Sequence, residues 1–179
     1  MSSLRSLAAR RDPAIGAVRA LDSMIKEQAA GLDHSATSAR ADKALSRVLP
    51  YLAEARNSIA RAQERQNSGS LDEQTFKAEC IGGKTVIMLI GYLESVKKKA
   101  AEAKDTCTLR CVCIACNILR RHLEDSLLEA DRYPNLEQMS DFLSKRKIAM
   151  VKDVYKNVVE ALDSAPKELG VPAPLFSSD

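Results

Sequence analysis

Apolar positions recur around most of the circumference of a helix between residues 106 and 130. Leu109, Cys113, Cys116, Leu123 and Leu127 follow one another at three-, four- and seven-residue steps, and Cys107, Cys111, Ile114 and Ile118 form a second apolar row beside them. A helix that is apolar over so wide an arc needs neighbours on more than one side, so the pattern predicts a central helix, with Thr106 as its N-cap.

The rest of the chain predicts further helices around it. Asp12 and Pro13 offer an N-cap and a first-turn proline, Ile15, Val18, Leu21, Met24 and Ile25 form the stripe of a first helix, and Gly31 is placed to end it. A second helix is expected to begin near residues 33–38 and to carry Leu45, Val48, Leu52, Ala55 and Ile59. Pro50 lies inside it and must kink or split it, because the ring removes a backbone donor. Asn67, Ser68, Gly69 and Ser70 mark a loop, and Ser70 with Glu73 has the spacing of a capping box. The next helix holds Phe76, Cys80, Val86, Leu89, Tyr92, Leu93 and Val96, with Gly82 and Gly83 as a point of weakness. Asn135 and Gln138 suggest a second capping box opening a last helix through Met139, Phe142, Leu143, Val151, Val154, Tyr155, Val158 and Leu162, which Pro166 stops. Lys43, Tyr51 and Leu52 recur forty-one positions later as Lys84, Tyr92 and Leu93, an echo that raises a repeat architecture as an alternative to a bundle.

Composition changes this picture only by exclusion. A chain of 179 residues with 45% hydrophobic and 28% charged positions has enough apolar side chains for one core without metal or disulfide staples. With 4% aromatic residues and no Trp, it lacks the stacking platforms on which single-stranded nucleic acid is held. A net charge of +3 is too mild to require a nucleic-acid partner. No apolar run approaches the ~20 residues of a transmembrane helix. Five cysteines, four on one helix, suit a reducing compartment, the cytoplasm. The Arg- and Ser-rich start, with Arg5, Arg10 and Arg11 and no acid before Asp12, makes the mitochondrial matrix the alternative.

The motifs with chemical potential each have a plainer reading. Cys107, Cys111, Cys113 and Cys116 could bind metal only if four thiolates converged, and one straight helix offers about two on a face, so core packing is expected and no metal or cofactor. Gly82, Gly83, Lys84 and Thr85 end like a phosphate-binding loop, but the preceding segment reads as helix, where paired glycines permit a kink or a close helix approach. His34 and His122 have no nucleophile and acid arranged about them, and Glu124, Asp125 and Glu129 beside Arg120 and Arg121 read as ordinary charge pairing along a helix. No residue is assigned a catalytic role.

The sequence thus predicts an all-α antiparallel bundle of about five or six helices over residues 13–166, after a flexible basic segment over residues 1–12 and before an extended or disordered tail over residues 167–179. The function expected is that of a noncatalytic protein-interaction or assembly module, whose partner is another protein or helix, a second copy included. The last helix has more apolar arc than one core contact uses, which places the contact at Met150, Val151, Val158 and Val159. The alternative is a nucleic-acid- or anionic-surface-binding protein. It would use Lys97, Lys98, Lys99, Arg120, Arg121, Lys145, Arg146 and Lys147, provided that the fold brings these clusters to one face.

Overall fold

The computed structural model describes residues 2–125, 127, 128 and 136–163, with side chains described for 14–125, 127, 128 and 141–163. The described residues contain no strand. They form α1 (Ser2–Val48), α2 (Tyr51–Asn67), α3 (Glu73–Glu102), α4 (Thr106–Glu124) and α5 (Leu136–Ala161). The fold is the expected all-α bundle, with a different helix count. Pro50 splits α1 from α2 as the sequence predicts, yet it keeps a right-handed helical conformation, so the two segments amount to one bent helix. Counted so, the bundle has four helices rather than five or six.

Two breaks expected from the sequence do not occur. α1 runs without interruption through Gly31 and through residues 33–38, because one glycine in a helix costs only ~1 kcal/mol and no proline or left-handed residue follows it. It also begins at Ser2 rather than at Asp12, since residues 2–11 are helix-tolerant Ala, Leu, Arg and Ser. α3 likewise runs straight through Gly82 and Gly83. The echoed segments are therefore unlike: Lys43 to Leu52 straddles the Pro50 break, whereas Lys84 to Leu93 lies inside one helix.

Constant sequence offsets between contacting residues define the topology. Thr75 and Ser144 approach to 3.3 Å and Glu79 pairs with Lys147, offsets of 69 and 68, so α3 and α5 run parallel. His34 contacts Thr106 and Arg40 lies close enough to Cys113 to act on its thiol, offsets of 72 and 73, so α1 runs parallel to α4. Asp42 of α1 pairs with Lys97, while Ile59 of α2 lies against Gly83, so the bent helix runs antiparallel to α3. The order is up, down, up, down, with short turns at residues 68–72 and 103–105.

α3, rather than α4, is the most central element. It packs against each of the other four, and Val86, Leu89, Ile90, Leu93 and Val96 are fully buried along it. α4 packs against α1, α3 and α5 through Leu109, Val112, Ala115, Cys116, Leu119 and Leu123, and its second apolar row is only partly covered, with Ile114 left 53% exposed. The caps also sit elsewhere than expected. Asp72, not Ser70, caps α3 by accepting from the Thr75 amide at 2.8 Å, and Asp105, not Thr106, caps α4 by accepting from the Thr108 amide at 3.0 Å. The Thr108 hydroxyl and amide bonds hold the Asp105 carboxyl below its ordinary range.

α2 and α3 approach closely at Gly83. A Cβ there would lie 2.6 Å from Ile59 Cγ1 and 3.1 Å from the Ala55 carbonyl oxygen, so the helices must separate to admit one. Gly83→Val should therefore cost at least the ~1–3 kcal/mol of an overpacked core site, read as a lowered denaturation midpoint. Gly91→Ala, where an added Cβ meets nothing within 4 Å, should raise it slightly. Equal effects at the two glycines would show that α2 does not cross α3 at Gly83.

Candidate interaction surface

The first-helix stripe that the sequence assigns to the core is in solvent. Residues 14–33 are exposed throughout, with Ile15 at 47%, Val18 at 66%, Leu21 at 59%, Met24 at 56%, Ile25 at 63% and Leu32 at 74%. The reason is axial. α4 begins at Thr106, and the Thr106 hydroxyl meets His34 Nδ1 at 3.1 Å, while Arg110 binds Asp33 at 2.6 Å. These contacts tie α1 to the end of the bundle, and before them α1 projects over residues 14–33 for roughly 30 Å at 1.5 Å per residue.

The stripe also has the wrong phase to continue the packed face. Thr37, Ala41, Ala44, Leu45 and Val48 are the buried positions of the same helix. At 3.6 residues per turn, Val18, Leu21, Ile25 and Leu32 lie roughly 150° around α1 from them. Lengthening the other bundle helices would not cover this face. One border of the stripe carries Arg19, Asp22, Lys26 and Asp33, with Lys26 and Asp22 paired at 3.0 Å, and the other carries the uncharged Ala17, Gln28 and Gly31. The phase shift is legible in the sequence only if α1 is taken as continuous, and a helix ended at Gly31 hides it.

The surface expected on the last helix is corrected. Val151 and Val158 are fully buried, Met150 packs against the same core and Val159 is half-buried. The surplus apolar arc of α5 is used against both α3 and α4. Phe142, at 58% exposure, is the large apolar side chain of α5 left in solvent among those described.

The three basic clusters do not converge. Lys147 pairs with Glu79 near the start of α3, and Lys97, Lys98 and Lys99 lie some twenty residues further along that helix, about 30 Å away at 1.5 Å per residue. Several of the cations are engaged as well. Lys97 pairs with Asp42, Lys145 with Asp141 at 3.0 Å, Arg120 approaches Glu124 at 3.9 Å, and Lys147 is itself buried. Lys98, Lys99, Arg121 and Arg146 remain exposed, Lys98 and Lys99 near the end of α3 and Arg146 next to Lys147 at its start.

Neither the groove nor the cysteines gather reactive groups. A groove of about 480 Å³ between α4 and α5 is lined by Ile118, Arg121, His122, Asn157, Glu160 and Ala161. Among the described residues, no group of three or more His, Cys, Asp or Glu side chains is placed to share a metal ion. The cysteines are not uniformly core. Cys107 is exposed, Cys80, Cys111 and Cys113 are half-buried, and Cys116 is buried. Desolvation, with Cys113 nearby, pushes the Cys116 thiol up to about 12, and burial also raises Cys80 and Cys113. Because folding raises the Cys116 pKa above its ordinary 9.0, the stability due to its burial is complete below that pH and is lost as pH climbs toward about 12. A thiol reagent at neutral pH should modify Cys107 within the mixing period and Cys116 only as fast as the chain opens. Rapid labelling of Cys116 in the folded protein would show that α4 is not packed there.

Among the described residues, no helix is long and apolar enough to cross a membrane. Comparison of the chain with protein-family models, with curated proteins and with solved structures gives no match.

Proposed function

We propose that this protein is a noncatalytic interaction or assembly module whose contact surface is the apolar stripe on the projecting part of α1. The observation that carries this reading is the row of large aliphatic side chains, Ile15 to Leu32, half to three-quarters exposed on the part of α1 that projects past the other described helices. Most helical stability in proteins comes from packing an amphipathic face, and a solitary segment carrying Gly16 and Gly31 gains little of it. A partner helix laid along the stripe supplies that packing in the helix-to-groove manner. The bundle then acts as the rigid base from which the arm is presented.

A photoreactive residue at Ile25 tests the reading, with the exposed Arg56 of α2 as the control position. Efficient protein cross-links from position 25 and sparse ones from position 56 are expected. Equally sparse cross-links from both would overturn the reading.

A further inference from the structure

Independently of the stripe on α1, we infer that a second open face, on the first half of α4, is covered by residues 164–179 of the same chain, laid over Cys111 and Ile114 as an extended strap.

The face is open because α5 stops short of its neighbours. Its partners on the parallel α3 lie 68 and 69 residues back, which sets Ala161, the last residue of α5, beside Leu93 while α3 runs on to Glu102. On the antiparallel α4, Glu160 and Ala161 share the groove with Ile118 and Arg121. Residues 106–117 of α4 therefore lie past the end of α5, a length of roughly 18 Å at 1.5 Å per residue.

The apolar row of α4 continues into that stretch. Ile118 faces the groove beside α5, and Ile114, Cys111 and Cys107 follow it at four-, three- and four-residue steps, on the same side of the helix. α1 meets α4 elsewhere, at Thr106 and near Cys113. Ile118 and Cys111 are half-buried, Ile114 is 53% exposed and Cys107 is exposed.

Position and length select the occupant. The chain past Asp163 starts at the mouth of this open corner, whereas residues 129–135 join α4 to α5 at the other end of the bundle. Pro166 has no amide to extend α5 and disfavours helical geometry in the residue before it, and Pro172 and Pro174 favour extended chain. Six extended residues span up to about 20 Å, against roughly 16 Å from Ile118 to Cys107 along α4. Leu169, six residues after Asp163, can therefore reach the whole row, and Val171, two residues on, falls on the same side of an extended chain. A segment tethered this closely has an effective concentration in the millimolar range. Few aliphatic contacts then suffice to hold it, where a separate peptide would need many more.

A photoreactive residue at Ile114 of the full chain, in a mixture of isotopically light and heavy molecules, tests the proposal, with Arg56 of α2 as the control position. Cross-links from position 114 to residues 164–179 within one molecule are expected, and none to that segment from position 56. Leu169→Asp with Val171→Asp should remove these cross-links and speed the labelling of Cys111 by a thiol reagent about tenfold. Far-UV helicity should be unchanged, because both positions lie outside α1 to α5. The cross-link in the otherwise wild-type chain is read whether or not the double variant folds. Its absence overturns the strap, as does a Cys111 labelling rate that the double substitution leaves unmoved. Cross-links that join only light to heavy molecules would place the segment on a second copy and overturn it as well.

Discussion

Val151→Asp combined with Val158→Asp should abolish cooperative folding, leaving little far-UV helicity and no thermal transition. Both side chains are fully buried in the core. Val151 lies against Gly82 of α3, its Cγ2 within 4.0 Å of where a Cβ on that glycine would sit. An uncompensated buried charge costs on the order of 3–5 kcal/mol, and two of them consume most of the ~5–15 kcal/mol by which a domain is stable. The same change at Val18 and Ile25, both more than half exposed, should leave the transition of the bundle in place. The contrast separates two apolar stripes that look alike in sequence. A folded Val151→Asp, Val158→Asp double variant with an unshifted transition would place α5 on the surface and undo the packing described above.

Helix existence was legible because a period of 3.6 survives wherever one face is buried. Leu89, Leu93 and Val96 in α3, and Val151, Val154 and Val158 in α5, carry that period, and every helix they predict is present. Pro50 was legible for the same local reason, since a missing donor acts within one turn. What periodicity cannot supply is the identity of the neighbour. Ile15, Val18, Leu21 and Ile25 have the pattern of a core face, and the axial position of α4, whose first turn meets His34, together with their phase on α1, leaves them uncovered. Gly82 and Gly83 permit either a kink or a close approach, and Ile59, distant in sequence, decides for the approach. The basic run at residues 145–147 reads as one patch, yet successive residues on a helix point about 100° apart. Lys147 falls in phase with Leu143, Val151 and Val154 and turns inward, while Lys145 and Arg146 remain in solvent. The same phase rule puts Glu79 in line with Thr75, Gly82 and Val86 on the buried face of α3. Each half of this buried pair is therefore recoverable from sequence, but the pairing across 68 residues is not.

That pair makes the second large prediction. Glu79 and Lys147 have side chains only 6% and 9% exposed, and Thr75 and Ser144 form a further polar contact one turn toward the start of α3. Removing one partner strands the other charge where water cannot reach it, so Lys147→Met alone should cost about 3–5 kcal/mol, and Glu79→Met alone a similar amount. The double variant should recover most of that loss. Two Met side chains fill comparable volume, and neither charge then bears the desolvation that offsets much of their attraction. The coupling from the double-mutant cycle should accordingly be large, on the order of 3 kcal/mol or more, which is the range for residues that share one buried contact. Stability is not the only quantity at stake. A directional pair at one level of two parallel helices fixes their axial register, which the aliphatic contacts above it at Val86, Val154 and Val158 do not specify by themselves. The double variant should therefore unfold at close to the wild-type denaturant midpoint but with a shallower slope, and its α5 amides should exchange faster than those of α3. Additive losses in the cycle would show that Glu79 and Lys147 do not depend on each other. A double variant as sharply cooperative as the wild type would remove the register role and leave the pair as a tolerated burial of charge.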